Sequence, residues 1–156
     1  LGIDKADVLI PCGGGGLTSG IAMALEAEAP GLRARPCEPK EFDDTTRSLA
    51  SGTIQRNARL AGSLCDAIIT PQPGEITFPI MKRLCGPGIV VSEDEALRAM
   101  AAAFNHLRVV IEPGGAVALA AALFHPREIE GDTVIAVASG GNVDAEVYQG
   151  ALSRFA

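Results

Sequence analysis

Residues 12–17 read CGGGGL, four consecutive glycines between the apolar run VLIP and a stretch of helical character. Ordering a glycine costs more backbone entropy than ordering any other residue. One or two would serve for a sharp strand-to-helix turn, so four imply something that comes close to the backbone. Successive N–H groups in a tight glycine turn, followed by a helix N-terminus, form a positively polarised nest suited to phosphate. Better-known loops do not fit. The dinucleotide fingerprint G-x-G-x-x-G fails, because counting from Gly13 its last place is Thr18 and counting from Gly14 it is Ser19. No lysine follows the glycines, as a Walker loop demands, and Leu17 stands where a nucleophile elbow needs its first glycine. What is left is a cradle for one compact phosphate.

A second stretch, CEPKEFDD at 37–44, gathers Glu38, Glu41, Asp43 and Asp44. Carboxylates at short, irregular spacings can converge on a hard cation together with a backbone carbonyl and water. They equally suit a solvated turn in which Asp43 or Asp44 caps the next helix. Glu38 also stands where a dinucleotide fold places its ribose-binding acid, which keeps open a second reading: a non-catalytic α/β domain binding a phosphate ligand such as a nicotinamide dinucleotide. Ser139 closes an apolar run before Gly140 and Gly141, where a flat ring could lie against the backbone or the serine could cap a helix. Glu112, before Pro113, suits an acid favoured by a helix N-terminus. His106 and His125 fall at expected helix ends and receive no catalytic role.

Short apolar runs alternate with helical segments. Strands are expected at 6–11, 32–37, 66–71, 88–92 and 132–139, the last marked by its β-branched content. Helices are expected at 17–29, 44–51, 75–84, 93–106, 115–124 and 144–154, with Ser92 and Glu95 spaced as a capping box. Such alternation predicts an α/β domain with a mostly parallel open sheet and helices on both faces. Ligands then bind beyond the carboxyl ends of the strands, where CGGGGL and SGGN both lie, and the two turns share a pocket if their strands are neighbours.

The chain has 156 residues, 47% of them hydrophobic, which suffices for one core and one domain over 1–156. A formal charge of −6, one Tyr and no Trp exclude the basic, aromatic face that nucleic acid requires. No apolar run reaches the length of a membrane span and no signal peptide opens the sequence, so a cytoplasmic location is expected. Cys12, Cys37, Cys65 and Cys85 are too scattered for a zinc site or a disulfide framework and read as buried thiols.

Taken together, PCGGGGLTSGIA, EPKEFDD, EPGGAVALAA and SGGNVD occur in the order and spacing of the pyridoxal-phosphate lyases with the tryptophan-synthase-β fold. The chain resembles threonine/serine dehydratases and serine racemase along essentially its whole length. That resemblance implies part of the larger domain of such an enzyme. It implies pyridoxal 5'-phosphate as cofactor, its phosphate on the amides of Gly13, Gly14, Gly15, Gly16 and Leu17, and its pyridine nitrogen on Ser139. A neutral hydroxyl there does not favour a protonated ring, which suits β-elimination, since the departing hydroxyl takes up the electrons. The resemblance equally implies a place for Glu112 lining the cofactor pocket. It further implies a structural or allosteric Mg²⁺ or Ca²⁺ on Glu38, the Phe42 carbonyl and Asp44, and a homodimer when full length. The implied reaction converts L-threonine or L-serine, a small amino-acid substrate, to a 2-oxo acid and ammonia. That chemistry needs a lysine, and Lys5, Lys40 and Lys82 lie outside the pocket-facing motifs. The resemblance therefore implies that the lysine belongs to an N-terminal half not present here, that this is the C-terminal portion of a longer enzyme, and that no regulatory domain follows it.

Overall fold

A computed structural model describes residues 3–155. Strands β1 (Ala6–Pro11), β2 (Leu32–Pro39), β3 (Ile89–Val91) and β4 (Val134–Ala136) form one sheet. Every neighbouring pair is parallel and the order is β3-β2-β1-β4. Helix α1 (Gly16–Glu28) connects β1 to β2, α2 (Asp44–Ser51) and α3 (Thr77–Leu84) stand between β2 and β3, α4 (Glu93–Ala102) and α5 (Pro113–Phe124) between β3 and β4, and α6 (Ala145–Phe155) follows. None of the described helices is long and apolar enough to cross a membrane.

The central strand β1 is buried from end to end, as expected where helices cover both faces of a parallel sheet. Leu9 points into one core with Cys37, Ile89 and Val91 from the sheet and Ala99, Met100, Val117 and Ala151 from α4, α5 and α6. Its neighbours Val8 and Ile10 enter the other, with Ala22 of α1 and Ala34 of β2. Helix α5 is apolar all round and buried from Pro113 to Ala121 except at the half-buried Leu119, the pattern of a helix largely enclosed by protein. Its glycines and alanines let Ala96, Ala99 and Ala103 pack close against it. The expected capping box opens α4: the Glu95 N–H donates to Ser92 Oγ at 3.2 Å and the Ser92 N–H to Glu95 Oε2 at 2.7 Å. The helix closes in a π turn over Ala103–Leu107, where Phe104 meets Tyr148 of α6 edge to face, 5.9 Å between ring centres.

Two expected strands are corrected. Residues 66–71 form a 3-10 turn at Asp66–Ile68 and then irregular chain. Their apolar side chains are used without strand pairing, Ile68 packing onto the α5 core. The strand expected over 132–139 shortens to Val134–Ala136, because only these residues find register with β1, opposite Asp7, Val8 and Leu9. All four cysteines are free thiols, Cys12, Cys37 and Cys65 fully buried.

The amino end of the sheet carries a closed ionic network. Asp7 is 2% exposed, and its carboxylate accepts from Arg33 Nε at 2.9 Å, Arg35 Nη1 at 3.0 Å and the Glu130 N–H at 3.1 Å. Arg35, itself buried, also donates to the Pro87 carbonyl at 2.7 Å. Burial alone would raise the Asp7 carboxyl, but the Glu130 amide and the Arg35 and Arg33 guanidinium groups hold it below the usual carboxylate range. Asp7→Asn leaves the Arg35 charge buried without a counter-charge, and the expected loss is about 3–5 kcal/mol in urea unfolding. Because the folded value is the lower one, the Asp7 contribution is complete above the ordinary aspartate value and fades as pH falls through the depressed one. Wild-type unfolding free energies measured from pH 6 downward should therefore fall more steeply than those of Asp7→Asn.

Candidate functional site

Gly15 is the N-cap of α1, with φ 89°, a left-handed conformation that favours glycine. Met81 and Thr77 fill the space that a Cβ on Gly15 would need, and a Cβ on Gly13 would lie 2.9 Å from the Ile68 carbonyl oxygen. The turn itself accounts for these two glycines. It does not account for the others: a Cβ on Gly16 would have nothing within 4 Å, and one on Gly14 only Thr70 Cγ2 at 3.9 Å.

The hydrogen bonding of the loop is one-sided. Each carbonyl from Gly13 to Gly16 is engaged: Gly13 O by Cys12 Sγ, Gly14 O by the Gly74 N–H at 3.0 Å and Thr77 Oγ1 at 2.5 Å, Gly15 O by the Ser19 N–H, and Gly16 O by Ser19 Oγ. By contrast, none of the N–H groups from Gly13 through Thr18 finds an acceptor among the described residues, and no side chain caps the helix. A helix start leaves its first amides without intrahelical partners, and here the run extends back through the preceding glycines. Gly16 and Leu17 are exposed, so the free amides border solvent.

β4 lies directly beside β1, with Ala136 opposite Leu9. Gly13 follows Leu9 by four residues and Ser139 follows Ala136 by three, so the glycine loop and Ser139 emerge side by side at the carboxyl edge. Ser139 is exposed and six residues short of α6, too far to cap it. The glycines after Ser139 serve a packing role. Glu112 donates its N–H to the Gly140 carbonyl at 2.9 Å, and a Cβ on Gly115 would lie 2.6 Å from that oxygen, so EPGG and SGGN meet backbone to backbone. Glu112 is the N-cap residue of α5, makes no side-chain cap, and borders an open cleft of about 270 Å³ with Asn142 and Asp144.

The acidic loop is divided: Lys40 and Glu41 face solvent, whereas Glu38, Phe42 and Asp44 are buried. Glu38 is 0% exposed and accepts from the Thr45 N–H at 2.9 Å and from the Thr46 N–H and Oγ1, both at 2.7 Å. It caps α2 from the end of β2, although Asp43 occupies the N-cap position with no side-chain cap of its own. Burial pushes the Glu38 carboxyl up to about 8 against the pull of these donors. Enclosed in this way, Glu38 has no surface to offer a ribose, which removes the residue that kept the dinucleotide reading open. Asp44 is 2% exposed, its Oδ1 accepts from Asn57 Nδ2 at 2.5 Å, and its Oδ2 is buried with no partner. Burial raises the Asp44 carboxyl to about 6. Thr46 donates to Glu38, and the Phe42 carbonyl receives no hydrogen bond among the described residues. No cluster of three or more His, Cys, Asp or Glu side chains suited to a metal occurs among the described residues. The Glu38, Phe42 and Asp44 set comprises two side chains and a carbonyl.

Of the lysines, Lys5 is exposed just before β1, Lys40 is exposed beyond β2, and Lys82 donates to the Gly52 carbonyl at 2.9 Å. None engages the glycine loop. Sequence reasoning missed the wall of that loop, Ile68 through Thr77, and the buried Asn57 beside it. These residues carry no motif, and only the PQPG turn at 71–74 marks the wall as ordered chain.

The chain is 38% identical over 146 residues to the serine racemase of Dictyostelium discoideum, covering 91% of this chain and 45% of the relative. It is 34% identical over 143 residues to a catabolic L-threonine dehydratase of Escherichia coli, covering 90% and 43%. The crystal structure of a T.th. threonine deaminase superposes with a TM-score of 0.83 at 38% identity, over 88% of this chain and 46% of that one. The chain thus spans less than half the length of each of these relatives. The model of a family described as pyridoxal-phosphate dependent enzyme matches residues 1–140. With the glycine loop, Ser139 and an all-parallel sheet arranged as above, the chain belongs to the pyridoxal-phosphate dependent enzyme family.

Proposed function

We propose that this chain supplies the phosphate cradle and the ring-nitrogen contact of an ammonia-lyase that acts on L-threonine or L-serine. The observation that carries this reading is the row of N–H groups from Gly13 to Thr18, left without acceptors at the start of α1 while the carbonyls of the glycines are engaged. A dianionic phosphate answers that deficit, since it brings charge and several acceptor oxygens to a helix N-terminus. The open spaces beside Gly14 and Gly16 admit it without displacing protein atoms. Ser139, exposed at the adjacent strand end, offers a neutral hydroxyl to the ring nitrogen. When bound, pyridoxal phosphate supplies the electron sink for removal of the α-proton and the β-hydroxyl. Proton transfer at the α-carbon needs a base that the exposed Lys5, Lys40 and Lys82 do not place at the loop. In this reading the base comes from residues outside the chain. The substrate class rests on relatives named as a serine racemase, a catabolic L-threonine dehydratase and an L-threonine ammonia-lyase.

A divalent cation at the acidic loop belongs to the same proposal. The partnerless Asp44 Oδ2 and the free Phe42 carbonyl suit it, and Glu38 would complete the set through the one Oε1 lone pair not used by α2. Such an ion would supply the positive charge that two buried carboxyls lack.

Two experiments separate these elements. Gly16→Val places a side chain in open space at a position where φ is not positive, so circular dichroism should show a folded protein. Pyridoxal-phosphate titration followed by absorbance should show affinity lowered tenfold or more, as expected when about 1.4 kcal/mol or more of anion binding is lost. Gly15→Val should instead lose stability, by roughly 1–3 kcal/mol from its φ alone. Ser139→Ala should cost about 1 kcal/mol of cofactor affinity with no change in fold. A Gly16→Val protein that binds as tightly as wild type would reduce the glycine row to a turn.

For the ion, thermal midpoints are compared with and without Mg²⁺. Wild type should gain stability from the metal and Asp44→Asn should not. Glu38→Gln should lose about 1 kcal/mol without metal, because it weakens the α2 cap, and should gain less from Mg²⁺ than wild type does, because it also removes a ligand. No metal-dependent shift in wild type would leave the loop as a cap alone.

A further inference from the structure

The glycine loop is walled on one side by residues 68–77, a segment that belongs to no strand and needs an anchor. Gly74 and Thr77 hold the Gly14 carbonyl, and the Ile68 carbonyl closes the space beside Gly13. Asn57 provides the anchor. It is 8% exposed, and its Nδ2 donates both to the Thr70 carbonyl at 2.8 Å and to Asp44 Oδ1 at 2.5 Å. Its backbone N–H donates to the Pro71 carbonyl at 2.9 Å, and its Oδ1 accepts from Arg47 Nη2 at 2.7 Å. Arg47, on α2, in turn pairs with Asp43 at the N-cap position of that helix.

The geometry points to Asn57 as a positioning residue that fastens the 70–74 segment to α2 and so holds the glycine loop in its anion-binding shape. The connection runs from Asp44 and Arg47 on α2 through the Asn57 amide to Thr70 and Pro71, then through Gly74 to the Gly14 carbonyl. Both amide protons of Asn57 are committed, one to each side, so truncation at Cβ removes the Thr70 bond on one side and the Asp44 and Arg47 bonds on the other, leaving the backbone bond to Pro71. Arg56 makes a second link to the segment, to Gln72 at 2.5 Å, but both partners are at the surface and water can replace that bond. The role of Asn57 rests on the phosphate reading of the glycine loop. It adds to that reading a residue that never touches the ligand.

The test measures pyridoxal 5'-phosphate affinity of this chain by equilibrium dialysis for wild type, Asn57→Ala, Gly16→Val and Asp7→Asn. Asn57→Ala should bind about tenfold more weakly, within the range of ordinary coupling between sites. Asp7→Asn, destabilised at the far end of the sheet, should bind as wild type does, which separates positioning from general loss of stability. Hydrogen exchange on wild type supplies a reading that does not depend on a folded variant. Added pyridoxal phosphate should slow exchange at the Gly74 and Asn57 amides as well as in the glycine loop. Protection confined to the loop, or an Asn57→Ala affinity equal to wild type while Gly16→Val is weakened, overturns the role of Asn57 alone. If wild type takes up no pyridoxal phosphate, or Gly16→Val binds as well as wild type, the phosphate reading fails and the role of Asn57 falls with it.

Discussion

Six successive amide N–H groups without internal acceptors set the terms for the carboxyl edge of this sheet. Buried polar groups of a folded chain are almost always paired, and a run of this length is stable only because Gly16 and Leu17 open it to water or to an anion. The arrangement needs neighbours that take the carbonyls away, and Gly74, Thr77 and Ser19 do so. The irregular 68–77 segment, Asn57 and the buried start of α2 follow from that requirement.

The two ends of the sheet are built on opposite rules. At the amino end, Asp7, Arg33, Arg35 and Glu130 satisfy one another, and charge is buried only where counter-charge and hydrogen bonds meet it. At the carboxyl end, the Asp44 Oδ2 and Thr70 Oγ1 atoms are buried without partners, and the glycine amides have none either. Paired charge is concentrated at one edge and unmet hydrogen-bonding capacity at the other, as expected of a parallel sheet that binds ligands beyond its strand ends. Glu38 stands between the two rules: it lies at the binding edge, yet it is committed to the N-terminus of α2.

The strands β1, β2 and β3, the six helices and the capping box of α4 were legible because periodicity and local capping chemistry decide them. The adjacency of CGGGGL and SGGN followed from the parallel sheet once β4 proved to neighbour β1. Illegible were features settled by tertiary competition. Residues 66–71 have the composition of a strand, but no strand pairs with them, so they became the wall of the loop. The acidity of CEPKEFDD was plain in the sequence, whereas Glu38 reaching over seven residues to cap α2 was not, because Asp43 and Asp44 lie closer in sequence. Nor does the sequence signal that Gly140 and Gly141 lie against Glu112 and Val110 at the approach to α5. Asn57 had no signal at all, since a single asparagine in a polar stretch looks the same whether solvated or enclosed.

The edge-to-face contact of Tyr148 with Phe104 has a spectroscopic consequence. Tyr148 is the only tyrosine in a sequence without tryptophan, so the intrinsic emission of the chain comes from one ring. That ring sits where α6 docks against the π turn closing α4, on the face of the sheet opposite α1. Tyrosine fluorescence therefore reports the seating of the last helix, and its unfolding curve can be set beside the far-ultraviolet signal of the whole chain. Agreement between the two marks a single cooperative unit, and an earlier change in fluorescence marks a C-terminal helix that detaches before the sheet opens.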